Sequence, residues 1–130
     1  MDSIFTKIIK GEIPAQKIAE DDRFLAFLDV YPLQLGHTLV IPKEQIDYIF
    51  DLEDTLLADM HLFAKKVAIA VKKATGCKRV GVAVIGLEVP HAHVHLIPIN
   101  QMNDMNFSQP KKKFTDEEMA GMAQKIREQL

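Results

Sequence analysis

Apolar side chains recur along this chain in two rhythms, one with the period of a helix and one with the two-residue period of strands. Ile4, Phe5, Ile8 and Ile9 share one side of a helical wheel ahead of Gly11 and Pro14, so a short amphipathic helix opens the chain and ends at Gly11. Gln16 to Glu20 and Arg23 to Leu28 read as two short strands joined by the turn-prone pair Asp21-Asp22. After a loop holding Tyr31, Pro32 and Gly36, the segment His37 to Ile41 is rich in apolar and β-branched residues and stops at Pro42, which makes it a third strand.

Leu56, Met60, Phe63, Val67 and Val71 then mark one stripe of a long helix over 53–75, with Gly76 just past its end. Residues 80–85 and 92–99 add two strands, linked by Gly86-Leu87-Glu88-Val89-Pro90. Residues 100–113 are polar and read as a surface connection, in which Lys111-Lys112-Lys113 is a solvated face. Thr115 and Glu118 form a capping-box signature, and Met119, Met122, Ile126 and Leu130 repeat at helical spacing behind it. This order of elements predicts an α+β fold whose sheet contains antiparallel pairs.

Composition narrows the class without naming a chemistry. At 130 residues, 48% apolar and 26% charged, the chain reads as one ordinary folded domain. Sixteen Lys and Arg against 18 Asp and Glu leave a formal charge of −2, so the broad basic footprint that duplex nucleic acid requires is absent. The single Cys77 has no partner for an internal disulfide and reads as a small apolar residue. The first residues lack a basic stretch followed by a long apolar one, no run is long enough to cross a bilayer, and a cytoplasmic location is the expectation.

Candidate chemistry concentrates in His91-Ala92-His93-Val94-His95, which holds three of the five histidines at alternate positions. On an extended strand these imidazoles would line one face about 6.6 Å apart while Ala92, Val94 and Leu96 filled the other. Two chemistries suit such a row. Two of the histidines could share a zinc ion with His37 or an acidic residue, although His91 and His95, about 13 Å apart on a straight strand, would not reach the same ion without bending. Alternatively, a neutral imidazole attacks phosphorus and its neighbours hold the developing charge, and His93, flanked on both sides, is best placed to attack.

The stretch His91-Ala92-His93-Val94-His95-Leu96-Ile97 resembles the signature of the histidine triad family, in its nucleotide-binding branch. Supporting segments occur in the same order: Ser3 to Ile9, Phe24 to Asp29, and Gly36-His37-Thr38-Leu39-Val40-Ile41-Pro42-Lys43. The resemblance implies a five-stranded antiparallel sheet with a short N-terminal helix and a long central one. It places the family domain at 1–99, with 100–130 a connection and an extra amphipathic helix packed on the same domain. It further implies purine nucleotide binding and hydrolysis of nucleoside 5′-phosphoramidates or related α-phosphate bonds through a nucleotidyl-histidine on His93. His91, His95 and His37 would complete the catalytic network, Asp29 would accept hydrogen bonds from the ribose hydroxyls, and Ile4, Phe5, Ile8, Phe27 and Val30 would form the base slot. Glu88 and Val89 would line the nucleotide site. No cofactor or metal is implied, and a homodimer is, built on the long helix and the adjacent strand.

The chain departs from that pattern in three places. Relatives often carry an Asn-x-Gly segment and a longer loop before the triad, whereas here Ala83-Val84-Ile85 runs directly into Gly86-Leu87-Glu88. Glu88 stands where Ser or Thr is common, and a carboxylate pointed at a phosphate would repel it unless protonated or turned away. Rate and substrate preference are where these changes would act, and a binding module with little turnover is the alternative function. Ser3 and Thr6 occupy the places of a zinc-binding Cys-x-x-Cys, and Gln45 that of a histidine, so a structural zinc is not expected.

Overall fold

The computed structural model describes residues 1–130. It contains three helices, α1 (Ile4–Ile9), α2 (Asp54–Thr75) and α3 (Asp116–Glu128), and five strands, β1 (Lys17–Glu20), β2 (Phe24–Leu28), β3 (Thr38–Pro42), β4 (Arg79–Ala83) and β5 (Val94–Ile99). The strands form one sheet in the order β1-β2-β3-β5-β4, and every neighbouring pair is antiparallel. The class is α+β, as the order of elements predicts.

Two layers cover the sheet because its strands alternate. Phe24, Ala26 and Leu28 of β2, Val40 of β3, and Val94 and Leu96 of β5 point to the face covered by α2, where they meet Met60, Ala64, Val67 and Val71. Leu25 and Phe27 of β2 with Leu39 and Ile41 of β3 point to the opposite face and pack on Phe5 and Ile8 of α1. His95 is paired with Leu39 in the ladder and belongs to this second face, so the short helix and the histidine share one side of the sheet.

Local chemistry starts and stops the elements. The Ser3 hydroxyl accepts the Thr6 amide proton and caps α1, and the Asp21 carboxylate accepts the amide protons of Arg23 and Phe24 to turn β1 into β2. Gly76 ends α2 in the left-handed conformation at φ +69° and returns its N–H to the Lys72 carbonyl. Gly36 has φ +101°, and a Cβ there would lie 2.9 Å from Thr75 Cγ2, so only glycine fits the turn that delivers His37 to β3. The predicted capping box of α3 is present, and α3 rests against α2 and β1 with Ala123 and Ile126 fully buried. No helix is long and apolar enough to cross a membrane.

The last strand differs from its expected range in a way that matters for the site. It begins at Val94 rather than Ala92, because the Ala92 amide is drawn to the Ile46 carbonyl and the His91 amide to the Val89 carbonyl instead of to β3. Of the three alternating histidines only His95 lies within the ladder, while His91 and His93 sit on the bent approach to it. The preceding strand is likewise shifted, covering Arg79–Ala83 rather than 80–85, so Val84 and Ile85 belong to the loop.

Candidate active site

A cleft of about 380 Å³ opens on the α1 side of the sheet, with His93 and His95 in its floor. Ile4, Phe5, Ile8, Phe27, Asp29, Val30, Glu88 and Val89 all line it, so the residues expected around a nucleotide are brought to one place. Its base-sized end is apolar: the Phe5 and Phe27 rings meet edge to face at 5.4 Å, and Phe5 also stands 5.0 Å from the His93 ring.

The histidines are not equivalent, because their hydrogen bonds assign each a different tautomer. His93 Nδ1 lies 2.7 Å from the main-chain oxygen of His91, which can only accept, so the proton is on Nδ1 and the Nε2 lone pair is free. His37 Nδ1 accepts the Leu33 amide proton at 3.0 Å; its proton is therefore on Nε2, which donates to His95 Nδ1 at 2.9 Å. His95 is left with its proton on Nε2. One relay thus presents a lone pair at His93 and a donor at His95, with the two rings 5.0 Å apart.

His91 is placed differently from the expected row. Its Nε2 donates to the Pro42 carbonyl at 2.7 Å and its Nδ1 accepts from the Ser3 hydroxyl at 2.8 Å, so neither ring nitrogen is available to a ligand. Its connection to His93 runs through the main chain. Half-buried Thr6 and exposed Gln45 extend this cluster to the surface: Gln45 Oε1 accepts from the Ser3 amide at 2.7 Å and from the Thr6 hydroxyl at 2.6 Å.

This donor set does not fit zinc. It offers hydroxyl and amide oxygens and one imidazole in place of thiolates, and their hydrogen-bonding capacity is spent on one another. Asp29, His37 and His95 also bring ligand atoms within 4.8 Å of one another. There, however, the proton on His37 Nε2 occupies the position that a metal would need.

Burial keeps the relay neutral. It pushes His37 down to about 3, with the Lys111 ammonium and the neighbouring His93 ring adding to the effect, and it pushes His95 down to about 3, with His37 and His93 adding. His91 is also lowered by burial, against the opposing pull of the Pro42 carbonyl. Asp29 Oδ2 stands 3.6 Å from His37 Nε2, beyond hydrogen-bond reach, while Asp29 Oδ1 accepts the Tyr31 amide proton at 2.9 Å. Oδ2 therefore remains as an acceptor at the cleft wall. Glu88 is exposed on the same cleft and forms none of the chain's ion pairs.

Sequence reading missed the cleft wall contributed by Phe107 and Lys111. Both fall in the polar segment read as a surface connection. Phe107 stacks edge-on against His95 at 5.0 Å, and Lys111 Nζ lies 4.9 Å from the centre of the Phe107 ring. An aromatic residue between asparagine and serine was the one available signal.

A sheet of this order with a histidine relay on its α1 face defines a class of protein, and comparison with known proteins agrees. The HIT domain model matches residues 10–102, and the chain belongs to the HIT family. Adenosine 5′-monophosphoramidase hnt1 of Schizosaccharomyces pombe is 36% identical over 132 aligned residues, covering 97% of this chain and 96% of that one. Adenylylsulfatase HINT3 of Arabidopsis thaliana is 36% identical over 102 residues, covering 75% of this chain and 52% of that one. Among solved structures, a Hit-like protein involved in cell-cycle regulation from Bartonella henselae superposes with a TM-score of 0.86 at 34% identity, covering 99% of this chain and 96% of that one.

Proposed function

We propose that this protein is a purine nucleotide-binding hydrolase or transferase that cleaves nucleoside 5′-phosphoramidates or related α-phosphate bonds, with His93 as nucleophile. The observation that carries the reading is the 2.7 Å bond from His93 Nδ1 to the His91 carbonyl, which aims an unprotonated Nε2 into a cleft with an apolar end. The names of the monophosphoramidase and adenylylsulfatase relatives support the same chemistry.

In this scheme the base enters the slot of Ile4, Phe5, Ile8, Phe27 and Val30, Asp29 accepts from the ribose hydroxyls, and Val89 and Glu88 border the phosphates. The Nε2 lone pair forms a bond to the α-phosphorus while the bond to the leaving group breaks and its electron pair departs with that group. An amine takes up one proton as it leaves. Water then attacks phosphorus, the N–P bond returns its pair to Nε2, and one proton is released, so the cycle balances. His95 Nε2–H donates to a phosphoryl oxygen throughout, held in that tautomer by His37. His91 positions the nucleophile through its carbonyl.

Incubation with adenosine 5′-phosphoramidate followed by mass spectrometry tests the proposal. The expected result is AMP release and an acid-labile adenylyl adduct on His93, both lost in His93→Ala. Turnover that survives in His93→Ala overturns the assignment. Glu88 beside the phosphate position favours one second reading, a nucleotide-binding module with little turnover. Micromolar AMP binding with no hydrolysis would establish that alternative.

We also infer a homodimer built on α2 and the edge strand β4. Leu62 and Ile69 of α2, Val82 of β4 and the adjoining Val84 and Ile85 are exposed, an arrangement that a second copy would cover. Sedimentation equilibrium is expected to give twice the 14.7 kDa chain mass.

A further inference from the structure

Four contacts run in sequence along the cleft. Phe5, in the apolar slot, lies 5.0 Å from His93; His93 lies 5.0 Å from His95; His95 lies 5.0 Å from Phe107; and Lys111 Nζ lies 4.9 Å from the Phe107 ring. For a nucleotide whose base sits at Phe5 and whose α-phosphorus sits at His93, Phe107 and Lys111 line the part of the cleft beyond the phosphorus, remote from the base. That end of the cleft carries a cation.

The cation is positioned. Lys112, the next residue, is tied down twice: its amide donates to the Pro32 carbonyl at 3.0 Å and its Nζ to Gln34 Oε1 at 2.7 Å. Gln34 Nε2 in turn donates to the Asp104 carbonyl at 3.3 Å, and Met105 packs against Gly81, where any Cβ would collide with its sulfur. The backbone on either side of Phe107 is thus fixed to the sheet and to the loop before His37. Lys111 takes part in none of the chain's ion pairs, so its charge rests on an aromatic face instead of a carboxylate.

We propose that Lys111 is a specificity-determining residue of this cleft, favouring a leaving group that departs as an oxyacid anion (sulfate, phosphate or carboxylate) over one that departs as an amine. The assignment rests on the reading of His93 as nucleophile. When the His93 Nε2–P bond forms, the P–O bond to the oxyacid breaks and its electron pair leaves on that oxygen. No proton is needed, because the oxyacid is a stable anion at neutral pH, and the developing charge meets the Lys111 ammonium. An amine leaving group must instead gain a proton as it departs and draws nothing from a fixed cation.

The test compares kcat/KM for adenosine 5′-phosphosulfate and adenosine 5′-phosphoramidate in the wild type, Lys111→Gln, Lys111→Arg and Lys113→Gln. A charge-assisted contact of ordinary strength predicts that Lys111→Gln lowers the sulfate-to-amidate ratio of kcat/KM by about tenfold or more. Lys111→Arg is expected to restore most of the ratio, and Lys113→Gln, which removes a charge outside the cleft, to leave it in place. An unchanged ratio in Lys111→Gln overturns the proposal, as does an equal fall in Lys113→Gln.

If the wild type hydrolyses neither compound, the catalytic reading fails separately and binding decides the role of Lys111. Calorimetry with AMP and adenosine 5′-(α,β-methylene)diphosphate is then expected to show about tenfold tighter binding of the second, lost in Lys111→Gln. Equal affinities, no binding of either compound, or a preference that persists in the variant would overturn it.

Discussion

His37 Nε2 donates to His95 Nδ1 across 2.9 Å, and the direction of that bond is set by the Leu33 amide proton on the far side of the His37 ring. A backbone N–H therefore determines which nitrogen of His95 carries its proton. A single imidazole in a cleft would be free to exchange tautomers and to protonate, whereas this one is committed by a chain of donors that starts in the main chain.

Replacing His37 by Leu would release that constraint. kcat is expected to fall by about 10- to 100-fold, in keeping with the loss of an orienting partner. The acid limb of the kcat profile should also move upward, because His37 contributes to holding His95 low. A pH-rate profile of wild type and variant checks this, and a uniform loss at every pH would assign His37 a merely structural role.

Stability should depend on pH for the same reason. His37 and His95 are both pushed to about 3 in the folded chain against an ordinary value of 6.5, so below that value the unfolded chain binds more protons than the folded one. Their contribution is complete above pH 6.5 and is lost as the pH falls from there toward 3. Each proton taken up only on unfolding contributes a slope of about 1.4 kcal/mol per pH unit. Calorimetric Tm values should be level between pH 7 and 8 and drop steeply below 6; a Tm that holds steady down to pH 4.5 would contradict this.

Asp29 offers a narrower test. With Oδ1 engaged by the Tyr31 amide, Oδ2 is the oxygen left for ribose. Asp29→Asn should raise KM for ribonucleotide substrates by about tenfold, the scale of one lost charge-assisted bond. Substrates lacking both ribose hydroxyls should show the same KM in wild type and variant.

Ser3 caps α1 and satisfies the buried His91 ring at once. Ser3→Ala removes both bonds and is expected to cost about 1–3 kcal/mol, read from urea midpoints. Ser3→Thr keeps the hydroxyl and should recover most of the loss. If Ser3→Ala proves neutral, the cluster with Thr6 and Gln45 is not holding α1 to the histidine segment.

Elements whose signals are local were legible in the sequence. The α2 stripe, the α3 capping box and the Asp21 turn each depend on residues a few positions apart. The insertion of β5 between β3 and β4 is a long-range choice that no local period encodes. The histidine row shows the boundary within five residues: alternation placed His95 in the last strand, where the ladder pairs it with Leu39, yet the Ala92 amide prefers Ile46, forty-six positions away, and bends the chain before the ladder starts. His91 therefore points into the α1 cap instead of along the cleft. Phe107 and Lys111 were missed because the loop that carries them is mostly polar and its meeting with His95 exists only in three dimensions.

Residues 10–102 are the stretch matched by the family model, while Ile4, Phe5 and Ile8 at one end of the cleft and Phe107 and Lys111 at the other lie outside it. The histidine centre thus comes from the matched stretch, while each end of the cleft is completed by residues from a flanking segment. Selectivity at either end could drift, or be grafted from a relative, by exchanging a flanking segment while the relay from Leu33 through His37 to His95 keeps its wiring.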